Sequence, residues 1–139
     1  MWTKTYSKTY PNVTKEQIWQ LWANVNNWPT WDKELDFCKM EGAFETGNQF
    51  ILKPKGGPTV KIMLSEVIPH QKFTDYTKFF GATMYDAHEL TETPAGLQIT
   101  HTSTVAGILS FLWVKLVANN VAASIPNQTD ALVALARSL

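Results

Sequence analysis

Residues 84–105, Met84-Tyr85-Asp86-Ala87-His88-Glu89-Leu90-Thr91-Glu92-Thr93-Pro94-Ala95-Gly96-Leu97-Gln98-Ile99-Thr100-His101-Thr102-Ser103-Thr104-Val105, read as two strands folded back on a tight turn at Pro94-Ala95. Side chains alternate between the faces of a strand, so the turn fixes which residues share a face. With Thr93 opposite Gly96, Leu90 faces Ile99, His88 faces His101, Asp86 faces Ser103 and Met84 faces Val105. Leu97 lies on the same side. The other side carries Tyr85, Ala87, Glu89, Thr91, Gln98, Thr100, Thr102 and Thr104, a solvated surface. The first face is therefore the inner one. Carrying the parity back across Phe80-Gly81-Ala82 places Phe73, Asp75, Thr77 and Phe79 on it as well. An inner face that mixes apolar residues with Asp75, Asp86, His88, His101 and Ser103 is not a dry core, because buried ionisable groups are costly unless paired or solvated. These groups either bond among themselves or line a cavity, and apolar walls with a few convergent polar groups are how ligand sites are built.

Outward from this hairpin, turn signals recur at Glu45-Thr46-Gly47-Asn48, Pro54-Lys55-Gly56-Gly57-Pro58, Pro69-His70 and Phe80-Gly81-Ala82. They divide the chain from Leu35 onward into about six short strands, too closely spaced for intervening helices, so the sheet is antiparallel. Trp2 to Tyr10 reads as a further strand. Thr14-Lys15-Glu16-Gln17 is a capping-box pattern, and Ile18, Trp19, Leu21, Trp22 and Val25 follow at helical spacing. Asn26-Asn27 ends that helix, and Trp28-Pro29-Thr30-Trp31-Asp32 reads as a short helical turn with Pro29 at its first position. Beyond Gly107, Leu109, Leu112, Trp113, Leu116, Val117 and Val121 form one apolar stripe, and Leu132, Leu135, Ala136 and Leu139 form another. Pro126 either kinks one long helix or separates two, with Asn127-Gln128-Thr129 as a fresh N-terminus. The expected architecture is α+β: a curved antiparallel sheet of about seven strands around a long C-terminal helix, with two short helices after the first strand. Residues 1–139 read as one domain.

Composition narrows the function classes. Twelve Lys plus Arg balance twelve Asp plus Glu in 139 residues, which argues against a nucleic-acid partner. The single cysteine, Cys38, lies in a strand-like run and reads as a buried inert thiol in a reducing compartment. No signal peptide or membrane span is legible, so the expectation is a cytoplasmic protein with no stable membrane insertion. The sequence leaves a homodimer open. Gly56-Gly57 lacks the context of a phosphate loop, and Ser110 and Ser124 lack that of a nucleophile elbow. No cofactor is expected. His70, after Pro69 in a turn, is expected to face solvent.

Thr14 to Trp19, followed by Asn27-Trp28-Pro29-Thr30-Trp31-Asp32, resembles the opening of the START-like (Bet v 1-like, SRPBCC) superfamily, within it the bacterial polyketide cyclase/dehydrase-like group. Gly47 to Pro54, Ser65-Glu66-Val67-Ile68-Pro69 and Met84 to Leu90 resemble that group's later strands, in the same order. The resemblance spans nearly the whole chain. It implies the helix-grip fold and a cavity for a small hydrophobic molecule (a lipid, polyketide, quinone or aromatic-like ligand), with some members catalysing cyclisation or dehydration. It supplies no catalytic residues, because the superfamily shares no catalytic signature.

The candidate ligand-binding residues are His88, His101, Asp86, Ser103, Asp75, Phe73, Trp28, Trp31, Trp113, Leu90 and Ile99. The His88–His101 pair supports three readings: ligand orientation or structural bonding with Ser103 and the aspartates, acid/base chemistry with Asp86 or Asp75 orienting a ring, and a two-His-one-carboxylate metal set with Asp86. The catalytic candidates are His88, His101 and Asp86, and no metal site is assigned. Trp28 and Trp31 read as a lid on the cavity, or as packing under the terminal helix, and Trp113 as facing the cavity. The leading expectation is a carrier or sensor of a small hydrophobic molecule. The alternatives are a cyclase/dehydratase-type enzyme in the same cavity and a protein-interaction module, which an exposed apolar patch on the helix or a strand edge favours.

Overall fold

The computed structural model describes residues 1–139. β1 (Trp2–Tyr10) is followed by α1 (Lys15–Ala23) and a 3-10 helix (Val25–Thr30). Strands β2 (Leu35–Met40), β3 (Gln49–Pro54), β4 (Val60–Ile68), β5 (Lys72–Phe79), β6 (Ala82–Thr93) and β7 (Gly96–Ala106) then form a meander. The terminal helix runs through Ser110–Trp113, Val114–Ala118 and Asn119–Ala136. One seven-stranded sheet results, in the order β1-β7-β6-β5-β4-β3-β2, with every pair antiparallel. Register breaks at Leu64/Glu66 and Leu35/Phe37 add local twist, helping the sheet to curve around the helix.

The register is the one the Pro94-Ala95 turn demands. Leu90 pairs with Ile99, His88 with His101, Asp86 with Ser103 and Met84 with Val105. β5 continues it, pairing Phe73 with His88 and Asp75 with Asp86. The edge strand β1 lies against β7, where Thr3–Thr104, Thr5–Thr102 and Ser7–Thr100 hydroxyl pairs decorate the outer face.

α1 begins with a complete capping box: Gln17 N–H donates to Thr14 Oγ1 at 3.1 Å, and Thr14 N–H to Gln17 Oε1 at 3.0 Å. It buries Ile18, Trp19 and Trp22. The following turn corrects an expectation. Pro29 lies inside the 3-10 helix rather than at its first position, because that helix already starts at Val25. The terminal helix is continuous through Pro126, and Asn127-Gln128-Thr129 does not start a new one. Ile125, Thr129, Leu132 and Val133 are all buried on either side of the proline, and their packing offsets its lost hydrogen bond.

The first apolar stripe of that helix divides. Trp113, Val114, Val117, Ala118 and Val121 pack inward around Ala82, Met84 and Val105. Leu112 and Leu116, expected to cover the sheet, stand outward. The helix widens over Val114–Ala118, where Asn119 N–H bonds to Val114 O, five residues back. The extra residue in that turn shifts the faces of the flanking segments. Gly107, at φ +125°, makes the entry to the helix: a Cβ there would lie 2.5 Å from the Gly81 carbonyl oxygen.

The core is in two parts. A large cluster joins α1, the 3-10 helix and inner residues of β1–β5 and β7 to Leu132, Val133 and Ala136. A smaller one surrounds Met84 and Val105. On the inner face, Asp75, Asp86, His88, His101 and Ser103 form a polar belt between them.

Candidate functional site

Phe73 is the floor of the site. It is 1% exposed and touches the rings of Trp19, Trp22, Trp28 and Phe44 at centroid distances of 5.1–6.4 Å. Such aromatic pairs contribute about 0.5–1.5 kcal/mol each beyond area burial. The His88 ring stacks on Phe73 at 4.0 Å with an interplanar angle of 9°, and its centroid lies 4.2 Å from that of His101. Strand pairing produces this: Phe73, His88 and His101 are successive cross-strand partners on β5, β6 and β7.

Two sub-networks run through the belt. Asp86 Oδ1 accepts from Ser103 Oγ at 2.7 Å and from His101 Nε2 at 3.0 Å. An ionised carboxylate only accepts, so His101 Nε2 carries the proton of that bond. On the other side, His88 Nδ1 lies 3.9 Å from Asp75 Oδ2, too far for a hydrogen bond. It is sealed from solvent and has no partner. The rest of the ring borders a cavity, which leaves the side chain 16% exposed.

The electrostatics follow from burial. Desolvation, and then the facing Asp86 charge, push the Asp75 carboxyl well above the usual carboxylate range. Burial pushes Asp86 upward too, but the His101 hydrogen bond and field, with His88 and Ser103, outweigh it and hold Asp86 below its usual value. Burial, and then the field of His101, lower His88 to about 3. The belt therefore sets side by side a carboxyl pushed toward its protonated form, a carboxylate held toward its charged form and an imidazole held neutral. Elsewhere, burial lifts the Cys38 thiol to about 12, which makes it inert as expected.

The cavity lies between sheet and helix, against Trp22, Trp28, Trp31, Phe73, His88 and His101, with Ile99, Thr100, Gln128, Thr129 and Leu132 completing it. It leaves about 40 Å³ to the centres of water-sized molecules. That is room for a few waters, well below the roughly 300–1,000 Å³ of drug-sized ligand sites. The tryptophans fill the rest. Trp28 and Trp31 are 7% and 5% exposed and pack into the core, so they plug the cavity rather than hang over it. Trp28 Nε1 donates to the Trp22 carbonyl at 3.0 Å, and its ring meets Phe50 edge-on.

Of the residues singled out from the sequence, His88, His101, Phe73, Trp28, Trp31 and Ile99 line this cavity. Asp75, Asp86 and Ser103 stand behind the histidines, and Leu90 packs on the edge of the large cluster. Trp113 does not face the cavity. It stacks on Phe79 at 4.4 Å and donates to the Phe80 carbonyl at 2.7 Å, because the start of the helix is tied to the β5–β6 turn. The set His88, His101 and Asp86 does not converge: Asp86 is engaged with His101 and Ser103 while His88 turns toward Asp75. No group of three His, Cys, Asp or Glu side chains is placed to hold a metal ion. His70 is exposed, though its ring lies 6.1 Å from that of Trp19. Sequence reasoning missed Trp22 and Thr100 and, on the terminal helix, Gln128, Thr129 and Leu132. Gln128 Nε2 donates to Asp32 Oδ2 at 2.7 Å, tying the helix to the segment after the 3-10 turn, and burial raises the Asp32 carboxyl. The i, i+1, i+4 spacing of these three residues would have placed them on the inner face, had the helix been read as continuous.

No protein-family description matches the sequence, and no curated protein matches it. Solved structures do match. A hypothetical protein of Helicobacter pylori is 14% identical with a TM-score of 0.78, over 96% of this chain and 87% of that one. The di-domain ARO/CYC StfQ of the steffimycin biosynthetic pathway is 12% identical with a TM-score of 0.78, over 98% of this chain and 50% of that one. Ara h 8.0201 is 12% identical with a TM-score of 0.74, over 99% of this chain and 100% of that one. The chain thus has the Bet v 1-like (SRPBCC) fold, in its helix-grip-like arrangement. At these identities the likeness carries the fold alone.

Proposed function

We propose that this chain binds a small, mostly apolar, ring-bearing molecule with one hydroxyl or carbonyl group, as a carrier or sensor. The observation that carries this reading is the cavity beside His88, where aromatic walls meet two histidines and the 16% exposed His88 ring lacks a hydrogen-bond partner. Buried polar groups are nearly always paired, and each exception in a native fold asks for an explanation. Nδ1 is sealed against Asp75 and out of a ligand's reach, but the open edge of the same ring borders the cavity, where a ligand hydroxyl can bond to Nε2. The likeness to an ARO/CYC protein fits a ligand of this kind. The tryptophans must yield to admit it. Trp28 is carried on a 3-10 helix of six residues, whose hydrogen bonds are weaker than those of an α-helix. Residues 1–139 act in this reading as one ligand-binding domain.

A second reading keeps the cavity and adds chemistry. His88 and His101 stand on the cavity wall, with Asp86 and Ser103 behind His101 and the raised Asp75 carboxyl behind His88. This is an acid/base set of the kind that cyclisation or dehydration of a carbonyl compound requires. Native mass spectrometry of the purified protein, followed by solvent extraction, tests both. We expect a bound small molecule with a ring system and one or two oxygens, recovered unchanged after incubation with the protein. Conversion of the extracted molecule on incubation moves the assignment to the enzyme. A protein that carries nothing and takes up no ring-bearing compound contradicts both.

A further inference from the structure

One end of the molecule is apolar on its surface and carries charge of one sign only. Ile108 is 88% exposed, Phe80 82% and Phe111 71%, with Leu112 and Leu116 on the same exposed helix face. The β5–β6 turn and the start of the terminal helix form one unit here. Leu109 N–H donates to the Gly81 carbonyl at 2.9 Å, and Trp113 Nε1 to the Phe80 carbonyl at 2.7 Å. Trp2 of β1 packs beneath it against the small core cluster. The elements that meet at this end bring Lys4, Lys78 and Lys115, and no carboxylate occurs in residues 1–6, 77–84 or 104–129. Lys115 follows Phe111 by one helical turn and is exposed beside Leu116. In a chain with formal net charge zero, every surface carboxylate lies elsewhere.

We propose that this end docks on an anionic phospholipid surface, with Phe80, Ile108 and Phe111 entering the headgroup region and Lys115 and Lys78 meeting the lipid phosphates. The proposal is independent of what enters the Trp28 cavity. Clustered exposed apolar side chains mark interaction sites. Three of these are so exposed that they project instead of lining a groove, which suits a lipid interface better than a partner's side chain. The basic neighbours supply the attraction to anionic lipid. A second copy of the chain is a poor occupant, because it would bring the same lysines and no carboxylate to face them. No helix is long and apolar enough to cross a membrane, so the contact is a surface one.

Co-sedimentation with vesicles of phosphatidylglycerol and phosphatidylcholine in equal parts, against phosphatidylcholine alone, tests this. The protein is expected to sediment with the mixed vesicles, weakly with the neutral ones, and less as salt rises. Lys115→Glu should weaken binding at least about five-fold. The double variant Phe80→Ser/Phe111→Ser should weaken it at least about ten-fold, with thermal melting close to that of the parent because both rings are already solvated. Absence of binding to the mixed vesicles overturns the proposal, as does binding that both variants leave intact. Concentration-dependent self-association, or pull-down of an acidic protein, that the variants abolish while vesicle binding stays absent likewise overturns it and assigns the patch to a protein interface.

Discussion

His88→Phe is expected to flatten the acid limb of the stability curve. The folded protein keeps His88 neutral down to about 3, whereas the unfolded chain takes up that proton near 6.5. Between those values the unfolded state binds more protons, so stability is full above 6.5 and is lost as pH falls toward the folded value. One proton is about 1.4 kcal/mol per pH unit, so the parent should lose roughly 3 kcal/mol between pH 6.5 and pH 4 from this group. Asp86, held below its usual value, adds its own loss only under the carboxylate range near 3.8. Asp75, raised well above that range, works in the opposite direction, so the His88 contribution is the difference between parent and variant. Phenylalanine keeps the stacking on Phe73 and removes the unpartnered nitrogen, so the variant should also gain stability at neutral pH. Urea denaturation midpoints across this pH range check both statements. Parallel slopes in parent and variant would show that another group sets the acid limb.

Trp28→Ala carries the second large effect, with opposite consequences for fold and ligand. The indole is 7% exposed, bonded to the Trp22 carbonyl and packed on Phe50, Trp31 and Phe73. Its loss should cost about 3–5 kcal/mol. It also opens the small cavity, because the alanine leaves the volume of the plug empty. Engineered apolar cavities of roughly 150 Å³ bind benzene-sized molecules. Naphthalene should therefore bind the variant more tightly than the parent, as followed by its effect on the melting temperature. Weaker binding to the variant would make Trp28 a wall of the ligand site and not its plug.

What could be read from the sequence was decided by local geometry. The Pro94-Ala95 turn fixes strand parity, and parity alone brought Phe73, Asp75, Asp86, His88, His101 and Ser103 onto one face. The capping box at Thr14 and Gln17 likewise fixed the start of α1. What could not be read was decided by packing over distance. Pro126 carries a local penalty of about 3 kcal/mol in a helix, and only the burial of Ile125, Leu132 and Val133 against the sheet shows why the helix continues. The widened turn at Val114–Ala118 has no sequence signature, so the outward placing of Leu112 and Leu116 and the docking of Trp113 on Phe79 stayed hidden. Cavity size is hidden for a related reason. The pattern shows which residues face inward but not how completely the indoles of Trp22, Trp28 and Trp31 fill the space between sheet and helix.

The two uncommon features of the molecule lie at opposite ends of the polar belt. Toward the large cluster stands the plugged aromatic cavity with His88, and toward the small one the apolar, carboxylate-free rim around Phe80 and Phe111. A chain that takes an apolar molecule from a lipid surface and holds it by one polar group would need both.

The reading of the cavity is tested most directly by the affinities of 1-naphthol and naphthalene for the parent and for His88→Phe, measured by calorimetry. The two compounds share a ring system and differ by one hydroxyl. If that hydroxyl supplies the polar partner of the His88 ring, the parent should prefer 1-naphthol by about ten-fold, the worth of one buried hydrogen bond. The preference should fall close to parity in His88→Phe. Equal affinities in the parent, or a preference that survives the substitution undiminished, would contradict the account.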